Sequence, residues 1–101
     1  MRLVVAVIKP AQMETVRLAL AAVQVTRLTV CDVHGYDREA DIDSFAQEVL
    51  IEIAVNDDFL DRTVDAVGAA LAAGGCGGRL FVLPMHEAVQ IYREVRGPEA
   101  V

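Results

Sequence analysis

A glycine-rich turn followed by an arginine is the part of this sequence best suited to binding an anion. The glycines are Gly74, Gly75, Gly77 and Gly78, and Arg79 follows them at the start of an apolar segment. Glycine backbones can turn several amide N–H groups toward one point, and such a nest binds phosphate oxygens. An adjacent guanidinium can then hold the anion through forked hydrogen bonds. A helix that stops in a flexible turn has the same pattern, so composition alone leaves both interpretations open.

A second candidate is a segment in which carboxylates occupy every second position, namely Asp37, Glu39, Asp41 and Asp43. With Glu48 eleven residues after the first, the spacing imitates a calcium-binding loop, whose carboxylate oxygens converge on one hard cation. However, Ile42 stands where the sharp turn of such a loop needs glycine, and strands rather than helices are predicted on both sides. The pattern therefore favours a solvated acidic loop.

The cysteines and histidines do not form a recognisable catalytic or metal-binding set. Cys31 and His34 are three residues apart on a predicted strand, so their side chains point to opposite faces. Cys31 is expected in the core as a small apolar residue, and His34 shares a face with Asp32. His86 is expected at the surface. Because no Ser/His/Asp or Cys/His arrangement emerges, the sequence favours a protein that is not an enzyme.

Alternating apolar and polar residues predict four strands, at Arg2–Ile8, Val25–Gly35, Gln47–Val55 and Arg79–Leu83. A first helix is predicted over Ala11–Val23 from its three- and four-residue apolar spacing. Asn56 and the two aspartates after it supply an N-cap oxygen and first-turn negative charge for a second helix, which ends at Gly74. A polar stretch from His86 to Arg96 finishes the chain.

This order of elements predicts an α+β fold of the ferredoxin-like βαββαβ type, with four antiparallel strands and two helices on one face. The 101 residues, of which 54% are apolar, are enough for one core and one domain over 1–101. The strands are more apolar than a solvated sheet face requires, which indicates that an oligomer covers the open face.

Charge and composition exclude several classes of protein. Fifteen acidic residues against nine lysines and arginines give a formal charge of −6, which argues against a nucleic-acid binder. The longest strongly apolar run, Leu3–Ile8, is too short to cross a bilayer, so no direct membrane insertion is expected. Two cysteines are too few for a disulfide scaffold, and no leader precedes the first strand, so a cytoplasmic location is expected.

Five segments together resemble the PII family of signal-transduction (nitrogen regulatory) proteins. They are VAVIKP at Val5–Pro10, LTVCDVHGYDR at Leu28–Arg38, IEIAVNDDFLDRTVDAV at Ile51–Val67, RLFVLPMHEAVQI at Arg79–Ile91 and the ending RGPEAV. The match covers nearly the whole chain, with one gap in the glycine turn and a larger one in the acidic loop.

The resemblance implies a homotrimer that binds an adenine nucleotide (ADP, AMP or ATP, with Mg possible) in the clefts between subunits. The cleft positions that it implies are Val7, Thr29, Gly35, Tyr36, Arg38, Glu52, Gly77 and Arg79. Arg38 and Arg79 would meet phosphate charge, and Thr29 would contact the base. The loop with Asp37, Glu39, Asp41 and Asp43 would contact a regulated partner, a membrane transporter or a metabolic enzyme. With this pattern around it, the glycine turn is interpreted as a phosphate site.

Departures from the family pattern cluster around the expected ligand. Arg27 and Asp37 stand where the family has glycines, Glu39 replaces a glutamine, and Glu48 replaces a lysine that pairs with 2-oxoglutarate. The charge reversal at Glu48 argues against 2-oxoglutarate sensing. Gln90 and Tyr92 replace two phosphate-contacting arginines, and the glycine turn lacks its usual lysine and aspartate. Weaker triphosphate binding is therefore expected, with AMP, ADP or a cyclic nucleotide preferred.

Ten residues separate Tyr36 from Gln47, far fewer than in the family's partner-contacting loop, and none of them is a tyrosine. This shortening argues against uridylylation and against insertion into an ammonium-channel pore.

Two alternatives stay open. A metal-responsive relative would bind a divalent or soft cation through the acidic loop, Cys31, His34 and Met85. An acylphosphatase-like enzyme of the same fold class would need a glycine-bracketed arginine loop after the first strand, whereas here Lys9 and Pro10 lead directly into a helix.

Overall fold

One antiparallel sheet and two helices form the body of the protein in a computed structural model that describes residues 1–36, 45–75 and 77–101. The main strands are β1 (Arg2–Ile8), β2 (Thr29–Gly35), β3 (Ala46–Val55) and β4 (Arg79–Pro84), and the helices are α1 (Met13–Ala22) and α2 (Asp57–Gly74). The sheet order is β2-β3-β1-β4. All three strand pairs are antiparallel, which confirms the predicted ferredoxin-like α+β fold.

The register divides the sheet into a covered face and an open face. Val4 pairs with Ile53 and Ala6 with Ile51, and these fully buried side chains face the helices. Val16 and Leu20 of α1 and Val67 of α2 complete the same core. The burial of alternate residues on β1 and β3 is the period-two pattern that the sequence predicts.

The second strand begins four residues later than predicted, because α1 ends in a Schellman motif. Gln24 adopts a left-handed φ of 68° and its N–H donates to Ala21 O, while Val25 N–H donates to Leu20 O. Val25 is thereby drawn into the core at the helix end and is 7% exposed. The prediction of a strand from Val25 is wrong for its first four residues. At its other end α1 is preceded by a 3-10 turn, Pro10–Gln12, so the helix also starts two residues late.

Helix α2 begins at the predicted position but is not capped as predicted. Asn56 is the N-cap residue, yet its side chain makes no capping hydrogen bond. Its Nδ2 donates instead to Pro98 O at 2.9 Å, and its buried Oδ1 has no hydrogen-bond partner among the described residues. The side chain therefore ties the end of the chain to the start of α2. The helix ends at Gly74 and is followed by the C-cap residue Gly75, whose φ of 68° is left-handed and favours glycine.

Asp57 in the first turn of α2 is expected to make stability pH-dependent. A hydrogen bond from the N-terminal ammonium, 3.0 Å from Asp57 Oδ1, is the largest cause that lowers the pKa of this carboxyl below its usual value. A lowered folded-state pKa stabilises the fold above the unfolded-state pKa, and this contribution disappears as pH falls through the folded value. We expect Asp57→Asn to lower Tm at pH 7 and to have progressively less effect as pH falls through the folded-state pKa of this carboxyl.

The matched control for this prediction is Asp58→Asn, which removes a carboxylate from the same helical turn and leaves the Asp57 ion pair in place. A Tm difference between the wild-type protein and Asp57→Asn that stays constant over the whole pH range would show that the ion pair is not its source.

The predicted polar stretch at the end of the chain is a small hairpin rather than an irregular segment. Strands β5 (Val89–Gln90) and β6 (Val95–Arg96) pair antiparallel and lead into a 3-10 turn at Gly97–Ala100. Gln90 Nε2 donates to Ala100 O at 3.2 Å, and Gly97 N–H donates to Ala88 O. These bonds hold residues 97–101 against the hairpin.

The open face of the sheet carries an apolar patch. Leu3, Val5 and Val7 of β1 pair with Leu83, Phe81 and Arg79 of β4, so all six side chains lie on this face. Phe81 is 48% exposed and Leu83 is 42% exposed in the single chain. Apolar surface of this kind favours association with another chain.

In the described ranges, neither α-helix combines the length and apolarity that a membrane span requires.

Candidate functional site

The sheet end where β1 and β2 finish and β3 and β4 begin contains a hollow of about 140 Å³, which we call the upper hollow. It is lined by Val7, Ile8, Lys9, Glu48, Gly77, Gly78 and Arg79. Three residues that the family resemblance assigns to a nucleotide cleft, Val7, Gly77 and Arg79, therefore lie around one cavity. Val7 is also the direct register partner of Arg79 across β1 and β4.

Close packing of the glycine turn against β1 shapes the upper hollow. A Cβ added to Gly78 would lie 3.3 Å from Val7 O and 3.0 Å from a methyl carbon of Leu71. Gly77 has a left-handed φ of 68°, which side chains other than glycine adopt at a cost. Glycine is therefore required here for backbone conformation and for close approach, which brings the turn beside the exposed Arg79.

Gln12 connects the two parts of the upper hollow, and sequence reasoning did not single it out. Its side chain is buried; Oε1 accepts from Lys9 N–H at 3.0 Å, and Nε2 donates to Gly77 O at 3.2 Å. One amide thus fixes the glycine turn to the end of β1. In the sequence, Gln12 precedes Val16 and Leu20 at intervals of four residues, so it falls on the core-facing side of the predicted first helix. A polar residue at such a position is the signal by which the sequence could have identified Gln12.

We expect Gln12→Leu to destabilise the protein by about 1–3 kcal/mol, because it leaves Lys9 N–H and Gly77 O without this partner. Urea unfolding measures the effect. Gln12→Glu retains the acceptor for Lys9 N–H but loses the donor to Gly77 O, so it separates the two hydrogen bonds. Gln47→Ala, at an exposed position of β3, is the matched control. Equal stabilities of Gln12→Leu and Gln47→Ala would contradict a bridging role.

Gly35, at the end of β2, lies directly against Glu48. A Cβ on Gly35 would overlap Glu48 Oε1, so the absence of a side chain makes room for this carboxylate. Glu48 is opposite Val33 in the register and lines the upper hollow. The structure therefore places Gly35 next to the hollow through its contact with Glu48.

Tyr36 follows β2 at the same sheet end, 52% exposed, and its ring centroid is 5.4 Å from that of Phe45. The two aromatic residues flank residues 37–44. That range lies outside the described residues, and it contains five residues of the predicted site, namely Asp37, Arg38, Glu39, Asp41 and Asp43. Cys76 in the glycine turn also lies outside the described residues.

The remaining two cleft residues lie elsewhere. Thr29 and Glu52 are direct register partners on β2 and β3, and both line a second hollow of about 430 Å³ near the opposite end of the sheet. We call this the lower hollow. Arg27, which stands where the family has a glycine, lines it together with Asn56 and Val101. Among the residues that the structure describes, the lower hollow and the upper hollow have no lining residue in common.

The structure bears on the predicted core position of Cys31 and on the alternative of a metal site. Cys31 is exposed on β2 in the single chain, so its predicted core position is wrong. It shares the open face with Leu50, its register partner, because β2 is an edge strand whose open face no helix covers. Within residues 1–36, 45–75 and 77–101, no three His, Cys, Asp or Glu side chains come together as a possible metal site.

Comparison with known proteins identifies relatives over almost the full length of the chain. A family model described as "Nitrogen regulatory protein P-II" matches residues 1–95. The chain is 37% identical over 114 residues to "Nitrogen regulatory protein GlnK1" of Methanosarcina mazei, covering 100% of this chain and 97% of the relative. It is 34% identical to "Nitrogen regulatory protein GlnK" of Escherichia coli K12, covering 90% of this chain and 91% of the relative.

Among solved structures, the PII protein of Arabidopsis thaliana bound to citrate superposes with a TM-score of 0.86 and 28% identity, covering 99% of this chain and 91% of that one. This superposition over nearly the whole chain agrees with the predicted fold class. The chain belongs to the nitrogen regulatory protein P-II family of signal-transduction proteins.

Proposed function

We propose that the protein is a non-enzymatic, homotrimeric regulator that binds an adenine nucleotide in clefts between its subunits. The observation that supports this proposal is the division of the cleft residues between two hollows. Val7, Gly77 and Arg79 surround the upper hollow, whereas Thr29 and Glu52 line the lower one. A nucleotide site that needs both sets of residues is complete only where the upper hollow of one subunit adjoins the lower hollow of the next subunit.

The open face supplies the contact surface for such an assembly. A head-to-tail interface of this type joins different patches of identical chains and closes into a ring when the rotation fits. Exposed Phe81 and Leu83 would be buried in it, together with the partly buried Leu3 and Val5. Burial of this apolar area stabilises the trimer at about 25 cal/mol per Å² removed from water.

We assign control of a partner protein, a transporter or a metabolic enzyme, to the segment at residues 37–44. Tyr36 and Phe45, which flank this segment in the sequence, have ring centroids 5.4 Å apart. A ligand that binds one arrangement of this segment better than another shifts the population of arrangements, and the partner then binds or is released.

A thermal-shift series tests the nucleotide proposal most directly. A ligand that binds the folded protein and not the unfolded chain raises Tm by mass action. We expect a concentration-dependent increase of Tm with AMP, ADP or ATP, measured with and without Mg²⁺. Mass measurement by light scattering tests the trimer. No Tm change with any adenine nucleotide would overturn the proposed ligand class, and a monomer would overturn the shared cleft.

A further inference from the structure

Residues 97–101 form one wall of the lower hollow, and we call them the strap. Ala100 and Val101 of the strap are half-buried and line this hollow together with Thr29 and Glu52. At about 430 Å³, the hollow has the size of a small-molecule site. The strap lies outside residues 1–95, which the family model matches. A ligand in the lower hollow would therefore contact a wall that lies beyond the matched range.

Two side-chain amides hold the strap, one from each side. At the start of α2, Asn56 Nδ2 donates to Pro98 O at 2.9 Å. On β5, Gln90 Nε2 donates to Ala100 O at 3.2 Å. By the family resemblance, Gln90 stands in place of a phosphate-contacting arginine, and its side chain bonds the strap instead. The position of this wall therefore depends on side chains of two other elements.

Asn56 uses its amide for the strap and not for its helix. It is the N-cap residue of α2, a position where an asparagine oxygen commonly accepts a hydrogen bond from the first turn. Its side chain makes no such bond, and its buried Oδ1 has no partner among the described residues. An unpaired buried acceptor costs free energy. Holding the strap and capping the helix are thus alternative uses of one side chain.

We propose that Asn56 is a positioning residue for the nucleotide, because it fixes through the strap the wall against which the base binds. The inference rests on the proposed function, since it requires that the base enters the lower hollow beside Thr29. When the strap leaves its docked position, the hollow lacks this wall. The apparent dissociation constant then increases in inverse proportion to the docked fraction. By linkage, a bound nucleotide stabilises the docked strap.

Asn56→Ser separates holding the strap from capping the helix. Serine caps helices about as well as asparagine, but its hydroxyl is bonded directly to Cβ and is too short to reach Pro98 O. We expect the Tm of the unliganded variant to be equal to or above that of the wild-type protein. Its dissociation constant should nevertheless increase about threefold to tenfold. A purely structural role would lower Tm and affinity together.

Two further variants complete the series. Gln90→Leu removes the other amide that holds the strap, so we expect a similar loss of affinity. Asp58→Asn changes a residue in the same helical turn as Asn56 that lines neither hollow, and it should bind nucleotide as the wild-type protein does. Calorimetric titration with AMP, ADP and ATP measures all four proteins. The fold-loss should be equal for the three nucleotides, because their phosphates lie outside the lower hollow.

Nitrogen-15 relaxation of the full-length protein measures the strap itself. We expect the heteronuclear NOEs of Ala100 and Val101 to be lower in Asn56→Ser and Gln90→Leu than in the wild-type protein. Saturation with ADP should raise them again, as the linkage requires. Gly97, whose N–H donates to Ala88 O on the hairpin side, is the internal reference and should remain ordered in every variant.

The outcomes distinguish this inference from the proposed function. If nucleotides bind Asn56→Ser with wild-type affinity although the strap is mobile, Asn56 does not position the ligand, while the nucleotide site stands. A strap that stays as ordered in both variants as in the wild-type protein would also overturn the inference, and so would a fold-loss that grows with the number of phosphates. If the wild-type protein binds none of the three nucleotides, both the inference and the proposed function are wrong.

Discussion

Arg79→Ala is expected to lower the affinity for an adenine nucleotide by about tenfold to a hundredfold and to leave the unliganded fold intact. Arg79 is exposed at the first position of β4 and lines the upper hollow beside Gly77 and Gly78. Hydrogen bonds to a charged group contribute about 1.5–3 kcal/mol, and about 1.4 kcal/mol corresponds to tenfold in affinity. Calorimetric titration with the nucleotide that gives the largest Tm increase measures the loss.

Arg17→Ala is the matched control for this prediction. Arg17 lies on the exposed side of α1, where its Nε donates to Glu14 Oε2 at 3.0 Å, and it is not a lining residue of either hollow. Its loss removes the same charge from the protein but none from the upper hollow. Wild-type affinity in Arg79→Ala, or an equal loss in both variants, would show that Arg79 does not contact the phosphate.

Ile51→Ala is expected to reduce the free energy of unfolding by about 2–5 kcal/mol. Ile51 is fully buried on β3, opposite Ala6 on one side and Val30 on the other. The substitution removes buried apolar surface and leaves a cavity that the two neighbouring strands cannot fill. Since domains are stable by only about 5–15 kcal/mol, this change removes a large share of the total. Urea unfolding at fixed protein concentration measures it.

Val30→Ala tests whether burial is the reason for this effect. Val30 is the direct register partner of Ile51, but it lies on the edge strand and is 46% exposed. We expect a loss below about 1 kcal/mol from this truncation. If Ile51→Ala does not fold, Ile51→Val, with an expected loss of about 0.5–1.5 kcal/mol, provides the measurement. Equal losses at the two positions would contradict the assignment of the core.

The sequence predicts the central strands well because their side chains alternate between a core face and an open face. Arg2–Ile8 has the predicted bounds, and β3 differs by one residue, since each buried position recurs with period two. The start of β2 was mispredicted because the turn before it places Gln24, rather than glycine, in the left-handed conformation. A Schellman motif without glycine has no recognisable composition, so Val25 was interpreted as a strand residue.

The C-terminal hairpin was missed for a different reason. The apolar residues Ile91 and Tyr92 lie between its two short strands and are 85% and 103% exposed. Because these side chains are not buried, the sequence of this segment has no alternation of buried and exposed positions that would predict a strand. Its order comes from hydrogen bonds between side chains and distant backbone groups, such as that from Asn56 Nδ2 to Pro98 O. Contacts of this kind depend on the tertiary fold and cannot be inferred from local spacing.

For the candidate site, the family resemblance predicted which residues contact the ligand, and the structure shows which of these residues lie in the same hollow. The composition of the glycine turn alone favoured a helix stop over a phosphate nest. Its packing against Val7 O and its link to Gln12 show why glycine is needed there. The separation of Thr29 and Glu52 from Arg79 follows from strand register. Sequence patterns within single elements do not contain that information.

The shared cleft is the central claim, and subunit complementation tests it most directly. One parent carries Arg79→Ala, which disables the upper hollow. The other carries Thr29→Phe, which fills the lower hollow at an exposed strand position. Each homotrimer is expected to bind nucleotide about tenfold or more weakly than the wild-type protein while remaining folded, as judged by Tm.

The two parents are then unfolded together, refolded at equal concentrations and titrated with nucleotide. If each site uses the upper hollow of one subunit and the lower hollow of the next, random mixing restores about a quarter of the sites with wild-type affinity. Recovery at that level is the predicted result. No recovery in mixed trimers, with both parents folded and assembled, would contradict a cleft shared between subunits.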